Sequence, residues 1–270
     1  MKEFFGIGGY TRPAEGYLSW QHLLFVSSLM LIMILTAALL GRKNRNASFS
    51  GKNKVLIAAA IAIDTIELFK IIMICYRANN PMEWIYELPL FLCSIQLIAL
   101  PIAAFSHGRL KEAAMDFVCI FGILGAVFGT YFAGNNYSCY PVLGFDNMVS
   151  GITHSISGFA SLYIFISGMT SMKKKNIPIT LSILLGFCAA AYVANILVDY
   201  NYMFLMRGDG TPYDILYSLM NVSKGLYPLG VVSLFLIYIT AFYGIYFLIH
   251  KAARKVIELQ IHEAELRKVS

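Results

Sequence analysis

Charged residues are scarce in this sequence, and their scarcity argues against a soluble domain. Only 13% of the 270 residues are charged, whereas 58% are hydrophobic. A soluble form of such a chain would expose large apolar patches. The positive residues lie between apolar runs and do not form a basic patch, so we predict no nucleic-acid partner. The composition therefore predicts a membrane protein.

Cysteine is also sparse, and its spacing excludes further kinds of protein. The five cysteines include no CxxC pair and no group with histidine at metal-ligand spacing, so we predict neither a metal nor an organic cofactor. Only Cys139 lies in a polar loop, which excludes a secreted scaffold with several disulfides. The sequence leaves two alternatives for Cys75 and Cys139: they form a disulfide, or both are free thiols.

Two families of seven-helix proteins are excluded by missing motifs. The last apolar run, Tyr227–Ile249, has no lysine that could hold retinal. The sequence also lacks the Asp-Arg-Tyr-like and Asn-Pro-x-x-Tyr-like helix ends of G-protein-coupled receptors.

Long apolar runs dominate the chain, and each approaches the roughly 20 residues that a helix needs to cross a bilayer. We predict an all-α polytopic protein, with one seven-helix transmembrane domain over residues 1–270 and an amphipathic cytoplasmic tail over residues 250–270. The predicted spans are Leu18–Leu40, Val55–Tyr76, Leu88–Phe105, Met115–Phe132, Met148–Met169, Ile177–Val198 and Tyr227–Ile249.

Lysine and arginine alternate between rich and poor loops, which predicts the orientation. By the positive-inside rule the N-terminus lies outside and the C-terminus in the cytoplasm. The rich loops hold Arg42, Lys43, Arg45, Lys52, Lys54, Arg109, Lys111, Lys173, Lys174, Lys175, Lys251, Arg254, Lys255, Arg267 and Lys268. The poor loops hold Lys2, Arg12, Arg77, Arg207 and Lys224. We expect a multi-pass protein of a cell membrane.

Ionisable residues inside the second span need partners or water, because hydrocarbon solvates charge poorly. Asp64, Glu67 and Lys70 follow one another at steps of three and share about a third of the helix circumference. One interpretation is an internal salt-bridge cluster that fixes helix packing. The other is a path for a transported cation or proton.

Other polar residues share one depth in the predicted topology. Spans 1, 3 and 5 all run inward, so His22, Cys93 and His154 lie within roughly 10 Å of the outer boundary. Lys70, Asn195 and Asp199 fall in the same outer half. These residues predict a polar pocket in the outer leaflet.

His154 and Cys93 are the candidate reactive pair. An imidazole can take and return a proton near neutral pH, and a thiolate is a good nucleophile for acyl transfer. His154 shares its helix face with Ser150, Gly151, Ser157, Gly158 and Ser161, which also fits a packing seam. The sequence leaves both interpretations open.

Three features of the sequence carry a family resemblance. They are the run Glu87-Leu88-Pro89-Leu90-Phe91-Leu92-Cys93-Ser94, the histidines His22 and His154, and the run Asn201-Tyr202-Met203-Phe204-Leu205. Together they resemble the YwaF-like bacterial integral membrane proteins, over all seven spans. The resemblance implies that the membrane is a bacterial plasma membrane. That family is distantly similar to a eukaryotic acyltransferase of ether phospholipids and, more remotely, to androgen-induced membrane hydrolases of fatty-acid esters.

The resemblance implies that His154 is the catalytic histidine. The usual bacterial pattern has histidine where this chain has Phe91, and the eukaryotic cysteine lies closer to the proline than Cys93 lies to Pro89. The identity of the nucleophile therefore depends on the local backbone.

These observations predict lipid acyl-ester chemistry, by an acyltransferase or a hydrolase. Cys93 and His154 are the predicted catalytic residues, and a membrane lipid is the predicted substrate. His22, Lys70, Asn195 and Asp199 are predicted to bind it, and Asp64 and Glu67 to be structural charges. The alternatives are a non-catalytic lipid-binding protein and a solute or ion transporter.

Overall fold

The computed structural model describes residues 1–169, 172–220 and 225–269, with only the backbone for residues 254 and 256–269. Regular structure in these residues is entirely helical, as predicted. The α-helices are α1 (Trp20–Lys43), α2 (Phe49–Ala78), α3 (Gln96–Phe105), α4 (Gly108–Tyr131), α5 (Gly134–Cys139), α6 (Phe145–Ser167), α7 (Ile177–Val198), α8 (Tyr213–Met220) and α9 (Leu226–Val269). Short 3-10 helices cover Pro81–Glu87, Lys174–Asn176 and Tyr202–Phe204.

Five helical segments of the described chain are long and apolar enough to cross a membrane. They are Trp20–Lys43, Gly108–Cys139, Phe145–Ser167, Lys174–Val198 and Leu226–Ala253. The second and third predicted spans fall outside this group. α2 has 30 residues but carries three ionisable groups at its centre, and α3 has only ten residues.

The third predicted span is helical in its second half only. Leu88–Ile95 forms a series of turns, and α3 begins at Gln96. Pro89 has no N–H to donate and disfavours helical geometry in the residue before it. The Ser94 hydroxyl accepts a bond from the Phe91 N–H at 3.0 Å and donates to the Phe91 carbonyl at 3.1 Å. These local bonds compete with the helical pattern.

α4 lies at the centre of the bundle and packs most extensively against α6. Small residues let the two backbones approach closely. A Cβ atom added at Gly122 would come within 2.6 Å of the Ser157 carbonyl oxygen, and one at Gly158 within 2.6 Å of the Ala126 Cβ. Ser161 Oγ donates to the Cys119 carbonyl at 2.7 Å. Most of the serine and glycine face of α6 is thus a packing seam, on which α1 also packs.

The N-terminal segment, residues 1–19, contacts the C-terminal end of α2 and the N-terminal end of α6. Arg77 of α2 forms a two-pronged ion pair with Asp146 of α6, at 2.7 and 2.6 Å. The Tyr10 hydroxyl donates to the same carboxylate at 2.7 Å. Burial, assisted by Asp146, raises the pKa of Tyr10 to about 12. One carboxylate therefore connects three parts of the chain.

The last helix continues past the predicted end of the seventh span. α9 runs without a break from Leu226 to Val269, so the predicted tail begins as an extension of this helix. All five cysteines are free, so Cys75 and Cys139 form no bridge. Lys224, which the charge pattern assigns to an outer loop, lies outside the described residues.

Candidate functional site

His154 is oriented by its own helix. Its Nδ1 atom lies 2.7 Å from the carbonyl oxygen of Ser150, one turn earlier on α6. A carbonyl oxygen only accepts, so Nδ1 carries a proton, and in the neutral ring Nε2 then keeps a lone pair. Nε2 is buried and makes no hydrogen bond of normal geometry within the described chain. This tautomer is the one that a general base needs.

Two glycines of α4 place the imidazole ring beside Cys93. A Cβ atom at Gly129 would come within 2.1 Å of His154 Nε2, so the ring lies directly against the α4 backbone. One turn earlier, a Cβ atom at Gly125 would lie 3.4 Å from Cys93 Cβ and 4.0 Å from His154 Cδ2. The thiol and the imidazole are close enough to interact.

Cys93 lies in the turns that precede α3. Its carbonyl oxygen accepts the Gln96 N–H at 3.3 Å, which closes a turn between residues i and i+3. The backbone N–H groups of Cys93 and Ser94 lie close to the Cys93 sulfur. Neither of these N–H groups donates to a backbone carbonyl in the part of the chain that the structure describes. The turn therefore offers donors beside the thiol.

The two sequence runs that carry the family resemblance lie against each other. The Phe91 ring packs on Tyr202 and Phe204, with centroids 5.4 and 5.8 Å apart. The side chain of Asn195 holds this segment in place. Its amide nitrogen donates to the Tyr202 carbonyl at 3.0 Å, and its amide oxygen accepts the Tyr202 N–H at 2.5 Å. Asn195, a predicted substrate-binding residue, thus holds Tyr202 in position against Phe91.

The side chain of Gln96 is buried and makes no polar contact with the described residues. Its exposure is 0%, yet neither its amide nitrogen nor its amide oxygen has a hydrogen-bond partner among the described residues. The Oδ1 atom of Asp64 on α2 is also buried and has no hydrogen-bond partner among these residues. Most buried polar atoms in folded proteins are paired, so each of these exceptions needs an explanation.

Two other predicted binding residues make local contacts. His22 is fully buried and uses both ring nitrogens: Nδ1 accepts the Leu18 N–H at 3.2 Å, and Nε2 donates to the Thr130 carbonyl at 3.1 Å. Asp199 is exposed and ends α7 with a left-handed backbone, at φ 49°. No contact among the described residues joins His22 or Asp199 to the Cys93 thiol.

Lys70 forms an ion-pair cluster with two carboxylates. Its Nζ atom lies 2.6 Å from Glu67 and 3.0 Å from Glu87. Glu67 is also close enough to His154 to interact with it electrostatically. The charges of α2 thus connect the Pro81–Glu87 helix to the neighbourhood of the Cys93–His154 pair.

Sequence reasoning did not identify Gly125, Gly129 or Gln96. The signals were present: two glycines four residues apart on one helix, and a glutamine inside an apolar run one turn after Cys93. Within the described chain, no three His, Cys, Asp or Glu side chains are grouped as metal ligands.

Comparison with known proteins gives one informative result. No curated protein and no solved structure matches the chain significantly. A sequence model of the TMEM164 family matches residues 17–251, which include every site residue described above. That match covers most of the 270 residues, so the chain belongs to the TMEM164 family of multi-pass membrane proteins.

Proposed function

We propose that this protein is a lipid acyltransferase or acyl-ester hydrolase that works at the outer leaflet through Cys93 and His154. The observation that carries the proposal is the placement of both side chains against Gly125, with His154 Nδ1 held by the Ser150 carbonyl and Nε2 buried. A thiol beside an oriented imidazole base is the arrangement used for covalent acyl transfer. The resemblance to an ether-phospholipid acyltransferase supports a lipid ester as substrate.

The proposed reaction has two halves. His154 Nε2 takes the thiol proton while the Cys93 sulfur attacks the ester carbonyl carbon, and the carbonyl electron pair moves onto oxygen. The tetrahedral intermediate collapses, breaks the ester C–O bond and leaves an acyl thioester on Cys93. The departing alkoxide takes the proton from His154. In the second half, His154 deprotonates an acceptor hydroxyl or a water molecule, which attacks the thioester carbonyl and breaks the C–S bond. The thiolate that leaves then takes the proton from His154, which restores the starting state.

The proposed substrate contacts extend from the thiol toward the outer surface. Lys70, Asn195, Asp199 and His22 remain the candidates for binding a lipid. Lys70 is the only cation among them whose ammonium could pair with a phosphate, and it would have to exchange Glu67 or Glu87 for that partner. The proposal also includes seven membrane-spanning helices, an N-terminus outside the cell, a cytoplasmic C-terminus and a bacterial plasma membrane as the location.

A transporter is the second candidate function, and it rests on Asp64. Its buried oxygen without a partner resembles the groups that carry protons through membranes. The close pairing of Lys70 with Glu67 and Glu87 favours a structural role for the other charges. Flux of protons or small cations into proteoliposomes that contain wild type or Asp64→Asn would distinguish the two functions.

The direct test is acylation of Cys93 by a phospholipid whose acyl ester is activated. We expect mass spectrometry of the wild type to find the acyl group on Cys93, and we expect His154→Ala to slow its appearance by 10²-fold or more, as typical of a lost general base. Cys188→Ser is the matched control, because Cys188 is a buried thiol on α7. Acylation elsewhere, or equal rates without His154, would contradict the mechanism.

A further inference from the structure

We propose that the side-chain amide of Gln96 donates a hydrogen bond to the acyl oxygen as it becomes an oxyanion during attack by Cys93. The inference rests on the proposed function and adds a third catalytic residue to it. It also explains why a fully buried amide has no partner in the described chain.

Backbone geometry directs Gln96 toward the thiol. The Gln96 N–H bonds to the Cys93 carbonyl, so the two residues stand three positions apart in a helical turn. Side chains three apart lie on the same face of such a turn. Gln96 is also the first residue of α3, and helical side chains lean toward the N-terminal end of their helix. The amide therefore extends along the face that holds Cys93.

The energetics favour a transient partner over a permanent one. A buried amide without hydrogen bonds costs about 1–3 kcal/mol of stability. An apolar residue of the same size would avoid this cost, and the neighbouring residues Ile95, Ala99 and Leu100 of the same segment belong to the hydrophobic core. A donor that is free in the resting protein and satisfied in the transition state contributes to rate instead of to substrate binding.

The backbone N–H groups of Cys93 and Ser94 complete the proposed anion site. Both lie beside the sulfur and donate to no backbone carbonyl in the described chain. Three donors would then surround the oxygen that develops charge, at the N-terminal end of α3, where the helix dipole also favours a negative charge.

Two reactions of the same thiol separate this role from a structural one. Acylation passes through a tetrahedral oxyanion, whereas alkylation by iodoacetamide displaces iodide and forms no oxyanion. In Gln96→Met, which keeps the side-chain length without the donor, we expect acylation of Cys93 by the activated phospholipid to fall about 100-fold. Alkylation of Cys93 should stay within about twofold of wild type, and thermal stability in detergent should not fall.

Gln21→Met is the matched control, because Gln21 is a partly buried glutamine on α1. It should change neither rate. Unchanged acylation in Gln96→Met would overturn the role of Gln96 and leave the Cys93–His154 mechanism intact. Equal losses of acylation and alkylation would show that Gln96 only supports the turn. Absence of acylation in the wild type would overturn the proposed function, and this inference with it.

Discussion

Gly129 is the residue whose missing side chain allows His154 to occupy its position. A methyl group there would overlap the imidazole ring, since the added Cβ would lie 2.1 Å from Nε2. We expect Gly129→Ala to move the ring away from Cys93 and to slow acylation of the thiol by more than 10-fold. Overpacking of this kind also costs about 1–3 kcal/mol, which a shift of the thermal midpoint in detergent would show.

Gly186→Ala provides the matched control for that substitution. Gly186 lies within α7, and a Cβ atom there would meet nothing within 4 Å. Alanine stabilises a helix interior relative to glycine by about 0.5–1 kcal/mol. We therefore expect equal or higher stability and normal acylation. Normal acylation in Gly129→Ala as well would mean that the ring position does not limit the reaction.

Cys93 and His154 could be proposed from the sequence because three signals coincide: their side chains suit a nucleophile and a base, the predicted topology puts them at one depth, and the family resemblance points to His154. Gln96 and Gly129 could not be selected in this way. Their importance depends on which atoms of another helix or turn face them, and a single sequence does not contain that information.

At the scale of elements, the N-terminal segment is held by a carboxylate that titrates. Glu15 accepts the Val142 N–H at 2.8 Å and pairs with Arg12. Burial raises the pKa of Glu15, but the Val142 N–H and Arg12 outweigh burial and lower it below the ordinary 4.5. A carboxyl group with a lowered pKa stabilises the fold above its unfolded pKa and loses that effect as the pH falls through the folded value.

Docking of the N-terminal segment should therefore weaken below about pH 4.5. We expect the Val142 amide to lose protection from hydrogen exchange between pH 6 and pH 3.5, relative to α6 amides in the same sample. Glu15→Gln keeps an acceptor but does not titrate, so protection in this variant should be lower at pH 6 and should change little. A pH profile shared by wild type and Glu15→Gln would assign the effect to another group.

Helix positions were predictable where apolar length decides them, and α1, α6 and α7 lie within a few residues of the expected spans. The third run shows why composition fails elsewhere. Most of its residues are apolar, but Pro89 and the Ser94 hydroxyl alter the backbone hydrogen bonds, and these effects do not appear in hydropathy.

At the scale of the whole molecule, the charge pattern predicts orientation. Cys139 is exposed at the end of α5 and should face outside, whereas Lys174 should face the cytoplasm. In a Cys93→Ser background, we expect a membrane-impermeant maleimide to label Cys139 in intact cells. Lys174→Cys should be labelled only after the cells are permeabilised. Labelling of position 174 but not of Cys139 in intact cells would reverse the topology.

The shortness of α3 has a consequence for the surrounding bilayer. Ten helical residues rise only about 15 Å, half the thickness of a typical hydrocarbon core. In the proposed orientation, the turns Leu88–Ile95 before α3 replace the missing half of the span on the outer side. Lipids beside them would relieve this mismatch by local thinning. A dimple in the outer leaflet would then lower phospholipid ester groups to the depth of Cys93, so that a lipid could react without leaving the membrane.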